Sequence, residues 1–326
     1  MDNPRVLCLG EILFDCLADQ LGLPLEQVQS WTPYPGGAPA NVATALVKLG
    51  VPSGFIGCIG KDKSGDVLVN ILHTSEVDIT GVQRHPTAPS RAVYVVRSTS
   101  GDRTFAGFGD FDTSEFADTR LQADKLPEDL FVGADFLVLG TLELAYPESG
   151  KAVYRALDLA QKHGVKVLLD VNWRPVFWKY PHLASGIIKQ LFRRVDIIKL
   201  AREEAMWLFN TAEPGAIIRQ LKNNDVNLAG VIITDGGSGC AYSFGGNEAR
   251  IQAFSVPVVD TTGAGDSFVA GFIQQLLTYG FDAISDSSKM KKMVTYASAV
   301  GALTTTKPGA IAAQPKAAEV EAFLTK

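Results

Sequence analysis

Cysteine, histidine and basic charge are all in short supply in this sequence. Its 326 residues include 4 Cys and 4 His, and 30 Lys and Arg face 35 Asp and Glu, a net charge of −5. That balance argues against a nucleic-acid binder, which carries a basic excess. Cys8, Cys16, Cys58 and Cys240 are scattered and form no C-x-x-C. Three of them sit in apolar, strand-like surroundings, the usual place for reduced cytosolic thiols. A disulfide or metal staple is not needed, because a chain this long can bury roughly three quarters of its unfolded surface. No apolar run approaches the ~20 residues that span a bilayer. The opening run Val6–Leu9 stops at Gly10-Glu11, without the basic start and cleavage site of a secretory leader. A cytoplasmic protein that engages neither membrane nor nucleic acid is expected.

Familiar catalytic signatures are missing as well. His73, His85, His163 and His182 have no metal-ligand spacing and read as surface or helix-end residues. Gly60-Lys61-Asp62 lacks the spacing and hydroxyl of a P-loop, and Asp235–Gly239 does not match G-x-G-x-x-G. The absence of G-x-S-x-G lowers a hydrolase reading.

What the chain does have is a βα rhythm. Short apolar runs at Val6–Leu9, Gly54–Cys58, Phe136–Leu139, Lys166–Leu169, Ile197–Leu200 and Val231–Thr234 read as strands. Helical spacing occurs at Ala40–Leu49, Gly65–Leu72, Glu148–His163, Leu183–Phe192, Arg202–Phe209 and Ala216–Leu221. Continuous apolar strands alternating with helices predict an α/β fold with a mostly parallel sheet covered on both faces. Arg91–Ser98 and Arg103–Phe108, joined by Ser100-Gly101-Asp102, predict a β-hairpin. With the extended runs Leu13–Ala18 and Trp31–Pro35 they predict a small separate sheet, placed as a lid. The expectation is one α/β domain over residues 1–326, with lid strands inserted at about 12–35 and 90–109.

The most informative segment is Asp260–Phe272, D-T-T-G-A-G-D-S-F-V-A-G-F. The strand-like run Phe254–Val259 precedes it, and Phe268, Val269, Phe272, Ile273, Leu276 and Leu277 follow with the spacing of a buried helix face. Gly263, Ala264 and Gly265 therefore lie where a loop becomes a helix, and unpaired amides at such a junction form an anion site. Asp266 reads either as a helix cap or as a general base beside a transferring phosphoryl group. A second glycine-rich stretch, Gly36-Gly37-Ala38-Pro39-Ala40-Asn41, opens a helix. It reads as an ordinary turn or as a sugar contact, with Asn41 offering both donor and acceptor. Gly10-Glu11-Ile12-Leu13-Phe14-Asp15 ends a parallel strand with two carboxylates, either facing solvent or binding vicinal hydroxyls.

Taken together, these segments resemble the ribokinase-like (PfkB) carbohydrate kinases, most of all the fructokinases. The likeness rests on Gly36–Ala43, Ile59–Gly65, Asp260–Phe272 and Lys307–Ala310, in family order, and on Asp170-Val171-Asn172-Trp173-Arg174-Pro175. It implies ATP-dependent phosphorylation of a sugar hydroxyl, with fructose giving fructose 6-phosphate. Another ketose, ribose or 2-keto-3-deoxygluconate is the alternative substrate, and a non-catalytic scaffold the alternative role. Asp266 would be the base, with Gly263, Ala264 and Gly265 as the anion hole. Asp15, Gly36, Gly37, Asn41, Glu143, Asn172 and Arg174 would bind the sugar. Lys199, Thr234, Gly236, Gly239 and Ser298 would line the nucleotide cleft. Mg²⁺ would arrive with the phosphates, its waters facing Glu204, and K⁺ would sit by Asp260 and Thr262. The sequence departs from the family where Ala201 replaces the Asn of N-x-x-E and Ser298 an Asn beside the adenine. Phe105–Asp112 also lacks the arginine wording of plant fructokinases. An exposed lid edge is suited to pairing two copies, so a homodimer is expected.

Overall fold

A computed structural model describes residues 3–99 and 103–325; the expected turn at Ser100-Gly101-Asp102 lies outside them. The chain opens with β1 (Val6–Leu9), then β2 (Leu13–Ala18) and β3 (Trp31–Gly36). Helix α1 (Ala38–Lys48), β4 (Ser53–Gly60), α2 (Lys63–Thr74) and β5 (Asp78–His85) follow, and then β6 (Ala92–Arg97) and β7 (Arg103–Gly107). A regular alternation comes next: β8 (Phe136–Leu139), α3 (Pro147–His163), β9 (Lys166–Asp170), α4 (Pro181–Leu191) and β10 (Ile197–Ala201). It continues through α5 (Arg202–Phe209), α6 (Pro214–Lys222) and β11 (Gly230–Thr234). The remainder is a hairpin, β12 (Cys240–Phe244) and β13 (Asn247–Ile251), and three helices, α7 (Ala264–Tyr279), α8 (Ser287–Thr304) and α9 (Ala317–Leu324).

Among the described residues the strands form two sheets. The larger runs β13-β12-β11-β10-β9-β8-β1-β4-β5, parallel from β11 to β5 and antiparallel at β12 and β13. Its central strands are apolar on both faces because each face is covered. Leu7, Leu9, Leu137, Leu139, Ile198 and Leu200 pack toward α3–α6. Their alternates Val6, Cys8, Phe136, Val138 and Ile197 pack toward α1, α7 and α8. Period-2 alternation thus divides the core into two layers. The smaller sheet, β3-β2-β6-β7, stands apart from this rhythm as expected, with the β6/β7 hairpin antiparallel and β2 parallel to β6.

Three strands were not anticipated and one expected run is absent. Strand β5 (DITGVQRH) is an edge strand with mixed polarity, so it lacks the apolar signal of the buried strands. The β12/β13 hairpin turns at Gly245-Gly246, both at positive φ (53° and 86°), a glycine pair that marks a two-residue turn. Phe254–Val259 is not a strand. Val258 and Val259 are 61 % and 62 % exposed, and Val259 N–H bonds the Thr305 carbonyl rather than a neighbouring strand. Its β-branched residues gave a propensity signal without a partner to pair with.

Candidate functional site

Helix α7 begins at Gly263, whose φ of 76° is left-handed and whose missing side chain leaves room for Ala310, 2.9 Å from where a Cβ would sit. Glycine is required there on both counts. Its first turn presents backbone N–H groups with no intrahelical acceptor. Asp266 lies in that turn but makes no capping bond to the helix, so the cap reading is excluded. Its Oδ2 instead accepts a 2.8 Å hydrogen bond from Asn41 Nδ2 of α1. Burial pushes Asp266 up to about 6, against the Asn41 bond, which favours the ionised form.

Asn41 is held in turn by its own surroundings. Gly37 has φ 104° and packs so closely on Glu11 and Ile12 that a Cβ would lie 2.5 Å from the Glu11 carbonyl. Glu11 Oε1 accepts the Ala38 N–H at 2.8 Å, which ties the start of α1 to the end of β1. Burial pushes Glu11 up to about 7, with Asp118 and Asp266 adding like charge. Behind it, Glu143 is 1 % exposed and neither carboxylate oxygen has a hydrogen-bond partner. Burial first and Glu11 second hold Glu143 well above the usual carboxylate range.

The ends of β9 and β10 contribute a buried ion pair. Lys199 Nζ lies 2.9 and 3.1 Å from the two oxygens of Asp170, and 3.1 Å from the Cβ position of Gly265. An ammonium therefore sits against the first turn of α7. Beyond Asp170 the chain turns through Asn172 at φ 37°, a left-handed conformation that asparagine tolerates better than most residues. Trp173 stacks on Trp207 of α5, with centroids 3.8 Å apart. Glu204 accepts N–H bonds from Trp173 (2.7 Å) and Ala201 (2.8 Å), so its carboxylate fastens this loop to α5.

These parts converge on one cavity of about 540 Å³. Asp15, Gly37, Asn41, Asn172, Arg174, Lys199, Glu204, Thr262, Gly263, Gly265 and Asp266 all line it. The small sheet supplies a further wall through Leu13 and Leu17 of β2, Val93 and Val95 of β6, and Phe105 of β7. Sequence reasoning missed that apolar wall, although alternate residues of β2 and β6 carry it.

The other expected residues stand outside the cavity wall. Gly36 lets the Asp15 carboxylate lie over it, 2.7 Å from the Cβ position. Asp260 accepts from Thr262 N–H and hydroxyl (3.0 and 2.7 Å) and from Gly309 N–H (3.0 Å), and with Thr262 it lines an adjoining cavity of about 180 Å³. Thr234 ends β11 and Gly236 follows it, at the same end of the sheet. A Cβ on Gly239 would lie 2.0 Å from the Ile251 carbonyl, so that glycine serves the hairpin. Ser298 on α8 reaches Val294 O (2.9 Å) and lies 3.6 Å from Cys240 Sγ. The C-terminal segment braces the whole from behind. Lys48 donates to Ile311 O at 2.5 Å and Gln314 Nε2 to Asn41 O at 2.8 Å.

Among the described residues no group of three or more His, Cys, Asp or Glu is arranged to hold a metal ion. No helix among these residues is long and apolar enough to cross a membrane.

Comparison with known proteins finds the same family and fold. The model of the pfkB family carbohydrate kinases matches residues 3–317. Fructokinase-1 of Zea mays is 32 % identical over 98 % of both chains. A fructokinase of Xylella fastidiosa, solved with bound ATP, superposes with a TM-score of 0.87 at 27 % identity over 98 % of each chain. A doubly substituted fructokinase of Vibrio cholerae, described with fructose, ADP and potassium ion, gives 0.84 at 27 % identity, covering 99 % of this chain and 98 % of its own.

Proposed function

The chain belongs to the pfkB family of carbohydrate kinases, and on that premise we propose that it moves the γ-phosphoryl group of ATP onto fructose, giving fructose 6-phosphate and ADP. The fold is that of the ribokinase-like sugar kinases. The observation that carries the reading is Asp266, raised to about 6 and turned away from capping, in the first turn of α7 and on the wall of a cavity large enough for a sugar.

In this reading Asp266 takes the proton of the 6-hydroxyl as that oxygen bonds the γ-phosphorus and the bond to the β-phosphate oxygen breaks. The amides of Gly263 and Gly265 and the Lys199 ammonium face the developing negative charge, whereas the Ala264 N–H bonds the Thr261 carbonyl at 3.3 Å and Ala264 stands outside the cavity wall. Asp15, Gly37, Asn172 and Arg174 hold the sugar, Gly36 gives Asp15 its place, and Asn41 serves mainly to orient the base. Glu143, its carboxyl held well above the usual range by burial and by Glu11, backs Glu11 behind the sugar. Thr234, Gly236 and Ser298 mark the nucleotide end. Mg²⁺ on the nucleotide phosphates would neutralise charge there, with Glu204 at the cavity wall facing its waters. In this reading Asp260 and Thr262 are the place for K⁺, an ion with which the related Vibrio fructokinase is described. The small sheet acts as a lid on a single α/β domain working in the cytoplasm, and its edges pair two copies.

Turnover of ATP across about ten sugars, with and without K⁺, tests this reading. Fructose should lead the panel; fructose in last place would end the assignment. A keto sugar acid belongs in the panel because the exposed Arg174 guanidinium lines the cavity and suits a carboxylate.

The raised Asp266 carboxyl also sets the pH profile. A base must be ionised, so kcat/KM should fall about tenfold per pH unit below about 6. Asn41→Ala removes a bond that favours the ionised form, so the acid limb should move up by about half to one unit. An unmoved limb would mean that another group controls it.

A further inference from the structure

Arg91, one residue before β6, has a guanidinium with no solvent exposure. Arginine is seldom enclosed in this way unless it is fully paired. Its Nε and Nη2 grip the carboxylate of Asp118, Nη2 at 2.8 Å from Oδ1. Nη1 and Nη2 reach the hydroxyl and carbonyl of Thr113, both at 3.0 Å. The Thr113 hydroxyl lies 2.6 Å from that of Tyr146, which donates to the Phe177 carbonyl at 2.7 Å. The rings of Phe108, Phe116, Tyr146 and Phe177 enclose the cation, their centroids 4.5 to 5.7 Å from the guanidinium carbon. On the backbone side, the Arg91 carbonyl accepts the Phe14 N–H of β2 at 3.1 Å.

One buried network therefore joins the root of the small sheet to the loop after β9. Neither Arg91, Asp118, Thr113 nor Tyr146 lines the 540 Å³ cavity, but their neighbours do: Leu13 and Asp15 on β2, Val93 on β6, and Arg174, Val176 and Phe177 on the loop. Isolated apolar packing would stabilise these segments equally well. A directional network of this kind also fixes one relative placement.

We propose that Arg91 is a positioning residue for sugar binding. Through Asp118, Thr113 and Tyr146 it locks the small sheet to the Arg174–Phe177 segment, and so sets sugar affinity without touching the sugar.

This rests on the sugar-kinase reading above, and the test separates the two. Tyr146→Phe removes only the hydroxyl that reaches Phe177. The KM for fructose should rise about tenfold, with kcat and the KM for ATP within about twofold. Amide hydrogen exchange should quicken at residues 174–178 and stay unchanged in β8 and β9. Arg91→Lys keeps the charge but loses the fork, and should give the same split with a larger shift. The double variant should be no worse than Arg91→Lys, as expected of one coupled unit. A lowered melting temperature with an unchanged fructose KM, or equal losses in every kinetic constant, would overturn the proposal. If Arg91→Lys does not fold, Tyr146→Phe decides alone. If the native enzyme phosphorylates no sugar, the kinase reading fails, while the exchange comparison still shows whether the network couples sheet and loop; unchanged exchange at 174–178 would refute that coupling.

Discussion

Asp266→Asn should lower kcat by about 10²–10⁴-fold while the KM values for sugar and ATP move by less than about threefold. The amide has the size of the carboxylate and can still accept the Asn41 hydrogen bond, but it cannot take a proton at neutral pH. Helix α7 should survive the change because Gly263, not Asp266, forms its N-cap. Losing one negative charge from a first helical turn costs only about 0.3–1 kcal/mol. Steady-state kinetics together with calorimetric sugar binding separates the two effects. Near-native turnover with intact binding would place the base elsewhere. The acid limb of the pH profile should vanish together with the carboxylate, which checks the same assignment by a second route.

Lys199→Met should cost about 3–5 kcal/mol of folding stability, because it strands the Asp170 carboxylate inside the protein. The two side chains are only 8 % and 6 % exposed, so water replaces little of the lost contact. Burial alone would lower the Lys199 pKa, but Asp170, Glu204 and Asp266 together more than offset it, and the net shift is upward, so the lysine stays charged through the neutral range. A fall in the urea midpoint at unchanged slope reads the loss. Adding Asp170→Asn should restore part of it, since the pair then disappears as a unit. A loss below about 1 kcal/mol would show that solvent or another cation reaches Asp170. Turnover should fall as well, because the ammonium lies against the first turn of α7.

The central strands were legible because a strand buried on both faces must be apolar throughout, and β1, β8 and β9 appear in the sequence within a residue of their true ends. Edge strand β5 is half-buried along most of its length and β13 exposes alternate residues, so their apolar signal fades, while β12, buried throughout, carries Cys240, Tyr242 and Ser243 in place of an aliphatic run. The glycine pair at 245–246 carried the missing information. Phe254–Val259 misled in the opposite direction, by composition without pairing. At the site, spacing marked the glycines as an anion site and left Asp266 open between cap and base, a choice that the family resemblance made. Spacing could not show that Asn41, 225 residues earlier, would bond the same carboxylate. Nor could it show that Asp170 would neutralise Lys199, or that Arg91 would be enclosed. Those are consequences of sheet order, which brings distant strand ends together, and no local pattern encodes them.

The brace behind the site has a consequence for how the protein is made. Asp260 waits for the amide of Gly309, Lys48 for the carbonyl of Ile311, and Asn41 for the side chain of Gln314. A ribosome that has already released Asp266 has therefore not yet supplied the groups that hold its surroundings in register. Working enzyme can arise only after synthesis has passed Gln314, and a message broken shortly before that point would yield a chain with every reactive group and no competent arrangement of them.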